Sequence, residues 1–334
     1  MKIDGGLMGN LAKAGQSAKK LEALGYQGAI TAETSHDPFF PLLLAAQETE
    51  KIELITSIAV AFSRTPMNLA NIGHDLNSFS KGRFVLGLGS QIRPHITKRF
   101  SMPWSKPAAR MREFILAMRA IWSAWHEGEP LNFDGEFYTH TLMTPMFSPL
   151  DNEYGAPKVF LAAVGPMMTE VAGEVADGVI MHAFTTEKYM REVTLPAVEK
   201  GLAKAGRSRD DFEVTYPGFI VTGNTEEEFN ATKTAVCKQI AFYGSTPAYA
   251  PVLGVHGWGD LQPELNKMSK QGQWDEMGTL ITDEILDQFA IVGEVDDIVD
   301  KFKVRWGGLV DRTTGTLPAR NDDHARELLA QWAD

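Results

Sequence analysis

The chain lacks most of the features that would assign it to a membrane, a secretory route or a metal-binding class. Its 334 residues contain no apolar run of about 18 residues, so we expect no membrane-spanning helix. The first ten residues lack the apolar core of a secretory signal. Cys237 is the single cysteine, which excludes an intrachain disulfide and fits a reducing, cytoplasmic compartment. The eight histidines are scattered without zinc-binding spacing, so no metal ligand is predicted.

Glycine-rich nucleotide motifs and excess positive charge are absent as well. The sequence has neither a GxGxxG pattern nor a Walker motif. Its 43 acidic and 32 basic residues give a formal net charge of −11. Such a charge disfavours a surface for nucleic acid or for anionic membranes. We therefore expect a small-molecule substrate, no nucleic-acid partner and no membrane partner. The sequence leaves open whether the chain forms a homodimer.

Residues 159–182 have the pattern of a complete strand–helix–strand unit. An apolar run ends at Gly165-Pro166, and proline is favoured at the first position of a helix. Apolar side chains then recur at every fourth position, which predicts a helix with one face against a sheet. A second apolar run follows. So short a helix between two strands predicts a parallel crossover, and its free N–H groups form a candidate phosphate site.

The same alternation of strand and helix patterns recurs along the chain. Apolar runs predict eight strands, at residues 2–7, 28–32, 52–60, 83–88, 159–164, 179–181, 212–221 and 305–315. Helical patterns separate them, at residues 11–24, 41–50, 69–80, 106–127, 167–175, 196–205 and 226–243. Eight alternations favour a closed (β/α)8 TIM barrel of the α/β class over an open doubly wound sheet.

Two stretches do not follow this alternation. Residues 129–155 are rich in turn residues and aromatic side chains, and residues 247–287 carry two tryptophans. We interpret both as insertions over the C-terminal face of the barrel strands, so that residues 1–334 form a single domain. An independent subdomain at 247–287 is the alternative.

In such barrels the active site lies at the C-terminal ends of the strands. This rule selects five segments, namely residues 33–36, 57–64, 89–95, 164–165 and 182–185. Some of these residues have a simpler interpretation. Glu33 and His36 could form a capping pair at the surface, and Arg64 could be a solvated turn residue.

Four motifs occur in a fixed order over most of residues 1–190. They are ITAE after strand two, TSIAVAFSRTP around strand three, SFSKGRFVLGLGSQ around strand four and LAAVGPMMTEVAGEVADGVI across strands five and six. In these motifs the chain resembles the bacterial luciferase-like monooxygenase superfamily, specifically its deazaflavin (coenzyme F420)-dependent oxidoreductases. The resemblance implies a TIM barrel whose flavin or deazaflavin lies across the strand ends, with the insertions forming a substrate lid.

The resemblance also implies which residues contact the cofactor. Family members typically carry a non-prolyl cis peptide at the end of strand three, and the matching bond is Ser57-Ile58. The loop at Val164-Gly165 matches the phosphate side, as does the position after strand six. The implied cofactor contacts are Ser57, Ile58, Ala59, Val60, Gln91, Ala163, Val164, Gly165, His182 and Ala183.

The implied activity is hydride transfer between the deazaflavin and an organic small molecule. His36 is the expected acid or base beside the cofactor ring, and Glu33 is the second choice. Thr34 stands where related sequences often have a histidine, and the glutamate that follows strand four in one branch has no clear equivalent. The sugar-phosphate substrate of that branch is therefore not carried over to this chain.

Two alternatives to this function stay open. One is an FMNH2-dependent monooxygenase on the same barrel, with FMN as cofactor, and the other is a non-catalytic F420-binding protein. The deazaflavin carries a longer acidic tail than FMN. Arg64, Arg93 and Lys98, near the expected barrel mouth, favour the deazaflavin.

Overall fold

The computed structural model describes residues 1–7, 9–315 and 317–333. Within them, the main sheet has nine strands, of which eight form the barrel: β1 Lys2–Gly6, β2 Gly28–Thr31, β3 Glu53–Thr56, β4 Phe84–Gly89, β5 Lys158–Ala163, β6 Gly178–Met181, β7 Glu213–Tyr216 and β8 Arg312–Thr314. The ninth, the short strand Ala59–Val60, pairs with β4. The strand order is β3-β2-β1-β8-β7-β6-β5-β4, and β3 also pairs with β4. The sheet is therefore closed, and the predicted eight-stranded TIM barrel is confirmed.

Helices alternate with these strands along the chain. They are α1 Ala14–Leu24, α2 Phe39–Glu48, α3 Pro66–Phe79, α4 Pro107–His126, α5 Pro166–Val175, α6 Leu195–Ala205, α7 Glu226–Gly244, α8 Leu261–Lys270, α9 Asp283–Phe289, α10 Ile298–Trp306 and α11 Asp322–Ala333. Threonine side chains cap the first turns of α3, α7 and α9, which fixes where these helices begin. No helix in the described part of the chain is long and apolar enough to cross a membrane.

Three of the predicted strands differ from the observed ones. The run 52–60 divides into β3 and a short strand Ala59–Val60, and the run 212–221 divides into β7 and Phe219–Val221. The predicted strand 305–315 is wrong over its first part, because α10 extends to Trp306. Phe302 and Trp306 are both buried one helical turn apart, so this apolar run has helical and not strand periodicity.

The inside of the barrel contains a small apolar core. Its buried members come from neighbouring strands and are Ile55, Val85, Phe160 and Ile180. Gly87 allows β4 to approach β3 closely, because a Cβ at this position would lie 1.8 Å from the carbonyl oxygen of Thr56. The Thr56 hydroxyl donates to the Gly87 carbonyl (2.8 Å) and accepts from the Gly87 N–H (2.9 Å). The Thr56 hydroxyl therefore replaces backbone hydrogen bonds between β3 and β4 at this point.

The described chain divides into two compact units. The first unit comprises Asp4–Ile180 and Ala197–Glu213, and the second comprises Met1–Ile3, Met181–Pro196 and the described residues from Val214 onward. The first unit holds β2 to β5 and α1 to α5. The interpretation of the whole chain as one domain stays a prediction.

The insertion at 129–155 contains an antiparallel pair of short strands, Phe133–Asp134 and Thr139–His140. The carboxylate of Glu113, in the second turn of α4, accepts hydrogen bonds from the backbone N–H groups of residues 136, 137 and 138 (2.9, 2.6 and 2.6 Å). These bonds hold the strand pair near the start of α4, which is the end that follows the C-terminus of β4.

The insertion at 247–287 lies in the second unit and contributes to the apolar core of that unit. It separates the short strands Phe219–Val221 and Ala290–Val292, which pair with each other in parallel. Between them, α8 and α9 contribute Leu265, Leu286 and Phe289 to a buried cluster that also includes Ile240 of α7. This excursion begins after the C-terminal end of β7.

Candidate functional site

The chain after β3 has the backbone feature that the resemblance implied. The Ser57-Ile58 peptide bond is cis, which confirms this prediction. The Ser57 N–H donates to the Thr31 carbonyl (2.6 Å), and the Glu33 N–H donates to the Ile58 carbonyl (3.1 Å). The ends of β2 and β3 therefore hold each other through the backbone on both sides of the bond.

The exposed surface of this segment belongs to Ser57 and Ile58. Both residues are partly exposed, whereas Ala59 and Val60 are each 0% exposed. A ligand contacts only atoms that have accessible surface, so a cofactor beside this segment would meet Ser57 and Ile58. The glycine at position 89 leaves room for Ile58, because a Cβ there would lie 2.8 Å from the Ile58 side chain.

Glu33, two residues after the end of β2, is bound and largely buried. Its side chain is 7% exposed. One carboxylate oxygen, Oε2, accepts from the Val60 N–H (2.8 Å) and from a guanidinium nitrogen of Arg64 (2.6 Å). The Arg64 side chain is only 17% exposed. The interpretation of Arg64 as a solvated turn residue is therefore wrong, and so is that of Glu33 as part of a surface capping pair.

Arg64 also binds a second carboxylate. Its other terminal nitrogen donates to Oδ2 of Asp37 (3.0 Å), and the guanidinium lies over the Phe39 ring at 5.3 Å. The remaining oxygen of Asp37, Oδ1, accepts from the Phe39 N–H (2.9 Å) at the start of α2. Two acidic side chains thus share one guanidinium, which cannot at the same time serve the acidic tail of a cofactor.

His36 lies between these two acidic residues in the chain but pairs with neither. It is exposed, and no hydrogen bond or ion pair engages its imidazole within the part of the chain that the structure describes. Nearby, the guanidinium of Arg99 donates to the backbone carbonyl of Thr34. The imidazole is therefore available to a ligand.

The segment after β4 presents positive charge. Gln91 has a left-handed backbone (φ 59°), is partly exposed, and its Oε1 accepts from the Ile92 N–H (3.0 Å). Arg93 and Lys98 follow it and are exposed. Neither has an ion-pair partner among the described residues. These two cations can bind an anion without first breaking an internal pair.

The start of α5 is suited to an anion. Gly165 occupies the N-cap position, and no side chain caps the helix. The N–H groups of a first helical turn have no partner inside the helix, so they are available to a phosphate. A Cβ added to Gly165 would meet no atom within 4 Å, which shows open space beside the helix start. Val164 is partly exposed, whereas Ala163 is 2% exposed.

His182 follows β6, in the second unit, and is surrounded by aromatic rings. Tyr243 lies 4.5 Å away at 84°, and Tyr249 lies 4.8 Å away at 36°, measured between ring centroids. Its Nδ1 accepts from the Phe184 N–H (3.0 Å). Burial lowers the pKa of the His182 imidazole to about 4. The ring is therefore neutral near pH 7, with its proton on Nε2. Ala183 beside it is partly exposed.

Sequence reasoning missed several of these residues. It did not find Tyr243 and Tyr249, because both lie far along the chain from His182 and no spacing rule connects them. It likewise did not pair Glu33 with Arg64: it offered His36 as a possible partner of Glu33, and a solvated turn or the acidic tail of the cofactor as surroundings for Arg64. The only available signal was that an arginine and two acidic residues follow neighbouring strands, whose C-terminal ends meet at one edge of a sheet.

Comparisons with known proteins give the family and the fold. A family model described as luciferase-like monooxygenase matches residues 3–312. An uncharacterized protein of Mycobacterium tuberculosis is 56% identical over 97% of this chain and 95% of its own length. The 5,10-methylenetetrahydromethanopterin reductase of Archaeoglobus fulgidus is 30% identical over 78% of this chain and 75% of its own. The solved coenzyme F420 dependent tetrahydromethanopterin reductase of Methanopyrus kandleri superimposes with a TM-score of 0.79 and 23% identity, covering 99% of this chain and 97% of that one.

Proposed function

Because the chain belongs to the luciferase-like monooxygenase family, we propose that it is an F420-dependent oxidoreductase. It would transfer a hydride between the deazaflavin coenzyme and an organic small-molecule substrate. The reductase from Archaeoglobus fulgidus supports a reductase or dehydrogenase activity over oxygen chemistry. The Methanopyrus kandleri reductase, which shares the fold, is described as coenzyme F420 dependent.

The observation that carries the choice of cofactor is the unpaired positive charge after β4. Arg93 and Lys98 are exposed and without an ion-pair partner in the described chain, although the protein has a formal net charge of −11. Exposed cations attract an acidic group, and the acidic tail of the deazaflavin is longer than the phosphate of FMN. Arg64 does not contribute, since Glu33 and Asp37 already bind it.

The other residues of the first unit fit the remaining parts of such a cofactor. The uncapped first turn of α5 at Gly165, with open space beside it, would hold the phosphate. Ser57 and Ile58 offer partly exposed surface against which a planar ring could rest. Gln91 and Val164 stay proposed contacts on the same grounds of exposure.

In the second unit, His182 and Ala183 stay proposed contacts on the phosphate side. The neutral imidazole of His182 accepts at Nδ1 from the Phe184 backbone and would donate from Nε2. Its tautomer is fixed before any ligand binds, because the backbone N–H requires an unprotonated Nδ1.

The protein's own residues have three tasks in this proposal. When bound, the deazaflavin supplies the carbon that gives or receives the hydride. Ser57 and Ile58 support and orient the ring, and the segments around the strand ends exclude water. The His36 imidazole, which is exposed and free of internal partners, gives or takes the substrate proton at one of its ring nitrogens.

A fluorescence titration of the purified protein with the deazaflavin and with FMN, at matched salt, tests the proposal. We expect tighter binding of the deazaflavin. The double variant Arg93→Ala/Lys98→Ala should weaken deazaflavin binding about tenfold, because each exposed charge contributes up to about 1 kcal/mol, and should change FMN binding less. Lys51→Ala/Lys81→Ala is the matched control, since both lysines are exposed but precede β3 and β4.

Two outcomes of this titration and one outcome of an activity assay would contradict the proposal. Tight FMN binding with negligible deazaflavin binding would favour a flavin-dependent monooxygenase. Equal losses in the two double variants would remove the argument from Arg93 and Lys98. Deazaflavin binding without turnover on any tested alcohol or reducible substrate would favour the non-catalytic alternative.

A further inference from the structure

One guanidinium joins three parts of the first unit. Arg64 donates to Oε2 of Glu33 (2.6 Å), to Oδ2 of Asp37 (3.0 Å) and to the backbone carbonyl of Val60 (3.2 Å). Glu33 and Asp37 are the two ends of the turn that follows β2, here called the 33–37 turn. Arg64 therefore connects both ends of this turn to each other and to the segment that follows β3.

The position of His36 depends on the backbone of the 33–37 turn. The imidazole is exposed and makes no hydrogen bond or ion pair with any described residue, so no side-chain contact fixes it. The turn itself is held at Glu33 and Asp37 by Arg64, and at the Thr34 carbonyl by Arg99. Loss of the Arg64 contacts would remove the link between the two ends of the turn. Glu33 would then be held only by its bonds to Val60 and Ile58, and Asp37 only by its bond to the Phe39 N–H.

Glu33 is poorly placed to exchange a proton with a substrate. Its side chain is 7% exposed, and the Arg64 guanidinium and the Val60 N–H both donate to the same oxygen. A guanidinium stays charged at all ordinary pH values, so protonating Glu33 would break a close ion pair. The Glu33 carboxylate therefore accepts from the protein's own donors and has little surface open to a substrate.

From these contacts we infer that Arg64 is the positioning residue of the 33–37 turn. Through Glu33 and Asp37 it holds His36 in place, and through Glu33 and the Val60 carbonyl it holds the segment that carries Ile58. Glu33 serves this network and does not carry the substrate proton. The inference rests on the proposed function only for the part that His36 plays in the chemistry.

Nuclear magnetic resonance of histidine-labelled protein without cofactor tests this directly. The His36 signal is assigned by its loss in His36→Ala. In Arg64→Lys, one ammonium replaces the planar fork that reaches both carboxylates. We expect the His36 signal to move toward that of an unstructured peptide. We also expect the deazaflavin Kd to rise about tenfold, which corresponds to one lost charge-assisted hydrogen bond.

Arg119→Lys is the matched control. Arg119 lies in the same unit and donates to Asp177 (3.0 Å) and to the Val175 carbonyl (2.9 Å), and its side chain is 35% exposed. It therefore loses a comparable ion pair, but at residues that precede β6. We expect the His36 signal to stay in place and the Kd to stay within about twofold. Equal effects in the two lysine variants would show a general loss of structure and overturn the inference.

Two milder variants keep the test decisive if Arg64→Lys does not fold. Asp37→Asn keeps the Oδ1 acceptor for the Phe39 N–H, and Glu33→Gln keeps an oxygen for the Val60 N–H. Each removes one charge facing Arg64, and each should move the His36 signal in the same direction. Signals that coincide with wild type in both variants would overturn the inference. The spectra are recorded without cofactor. Absence of deazaflavin binding by the wild type would therefore contradict the proposed function but not the inference about Arg64.

Discussion

Two polar clusters at the strand ends are built on opposite electrostatic principles. In the first unit, Arg64 is bound between the carboxylates of Glu33 and Asp37, at 2.6 and 3.0 Å. In the second unit, His182 packs against the rings of Tyr243 and Tyr249 and is neutral near pH 7, because burial lowers its pKa to about 4. One cluster keeps full charges and pairs them, whereas the other removes the charge.

This electrostatic difference determines which perturbation destabilises each cluster. A paired charge depends on its partner, since removing one member leaves the other buried and uncompensated. A desolvated imidazole depends on its surroundings and on pH, since protonation would place a charge among aromatic rings. Substitutions should therefore disturb the first cluster more, and acid should disturb the second more.

The largest expected effect concerns His36, which lies between Glu33 and Asp37 along the chain. His36→Ala should lower kcat by about 10²–10⁴-fold, the usual contribution of a positioned acid or base. Deazaflavin affinity and the unfolding midpoint should change little, because the side chain is exposed and without internal partners. Steady-state kinetics on a responsive substrate check this. Near-normal turnover would place the proton transfer elsewhere.

Removing the guanidinium should be the most destabilising of the single changes. Arg64→Ala leaves the largely buried Glu33 without its counter-charge, and we expect a loss of about 3 kcal/mol in the free energy of unfolding. Urea denaturation followed by circular dichroism measures it. Arg191→Ala is the control: its exposed pair with Glu187 should contribute less than about 0.5 kcal/mol. Similar losses in the two variants would contradict the contrast drawn between buried and exposed pairs.

Acid should weaken the neutral cluster in a defined window. The folded pKa of His182 is about 4, below the usual value of about 6.5, so between these pH values the unfolded chain takes up a proton that the folded chain does not. The contribution of the neutral His182 imidazole to the free energy of unfolding is therefore fully present above pH 6.5 and is lost as the pH falls to 4. The shift of 2.5 units corresponds to about 3 kcal/mol.

His182→Gln isolates this contribution, because glutamine does not titrate. The difference in unfolding free energy between wild type and variant, measured by denaturation at several pH values, should fall by about 3 kcal/mol between pH 6.5 and 4. A difference that stays constant across this window would show that His182 is not the titrating group.

The smallest expected effect comes from one ring of the aromatic cluster. Tyr249→Leu removes a contact worth about 1 kcal/mol beyond the area it buries. The substitution also opens His182 to solvent, so the pKa of the His182 imidazole should rise toward its usual value. The pH range over which the free energy of unfolding depends on His182 should then narrow. Denaturation at pH 7 and titration of the imidazole resonance check the two parts. An unchanged pKa would mean that Tyr249 contributes packing only.

Local sequence patterns predicted the helices and strands of this fold better than they predicted the side-chain contacts between them. Gly165-Pro166 after an apolar run correctly placed the start of α5. The strand assigned to 305–315 failed where Phe302 and Trp306 continue a helix, because a short apolar run has no unique period. The cis bond at Ser57-Ile58 came from the family resemblance alone, since nothing in the local residue types requires it.

The contacts that define the two clusters could not be read from spacing. Glu33 and Arg64 are separated by 31 positions and meet because the ends of neighbouring strands lie side by side. Tyr243, near the end of α7, meets His182 through tertiary packing. The sequence predicted that the site lies at the strand ends, but which side chains there are already bound depended on atomic distances.

The hydroxyl bridge between β3 and β4 limits how the barrel can be redesigned. Thr56 both donates to and accepts from Gly87, and any side chain at position 87 would collide with the Thr56 carbonyl oxygen. Serine could replace the hydroxyl at position 56, but valine, which has the same shape, would leave two peptide groups unsatisfied. A mutant library aimed at the mouth of this barrel should therefore keep glycine at position 87 and allow only threonine or serine at position 56.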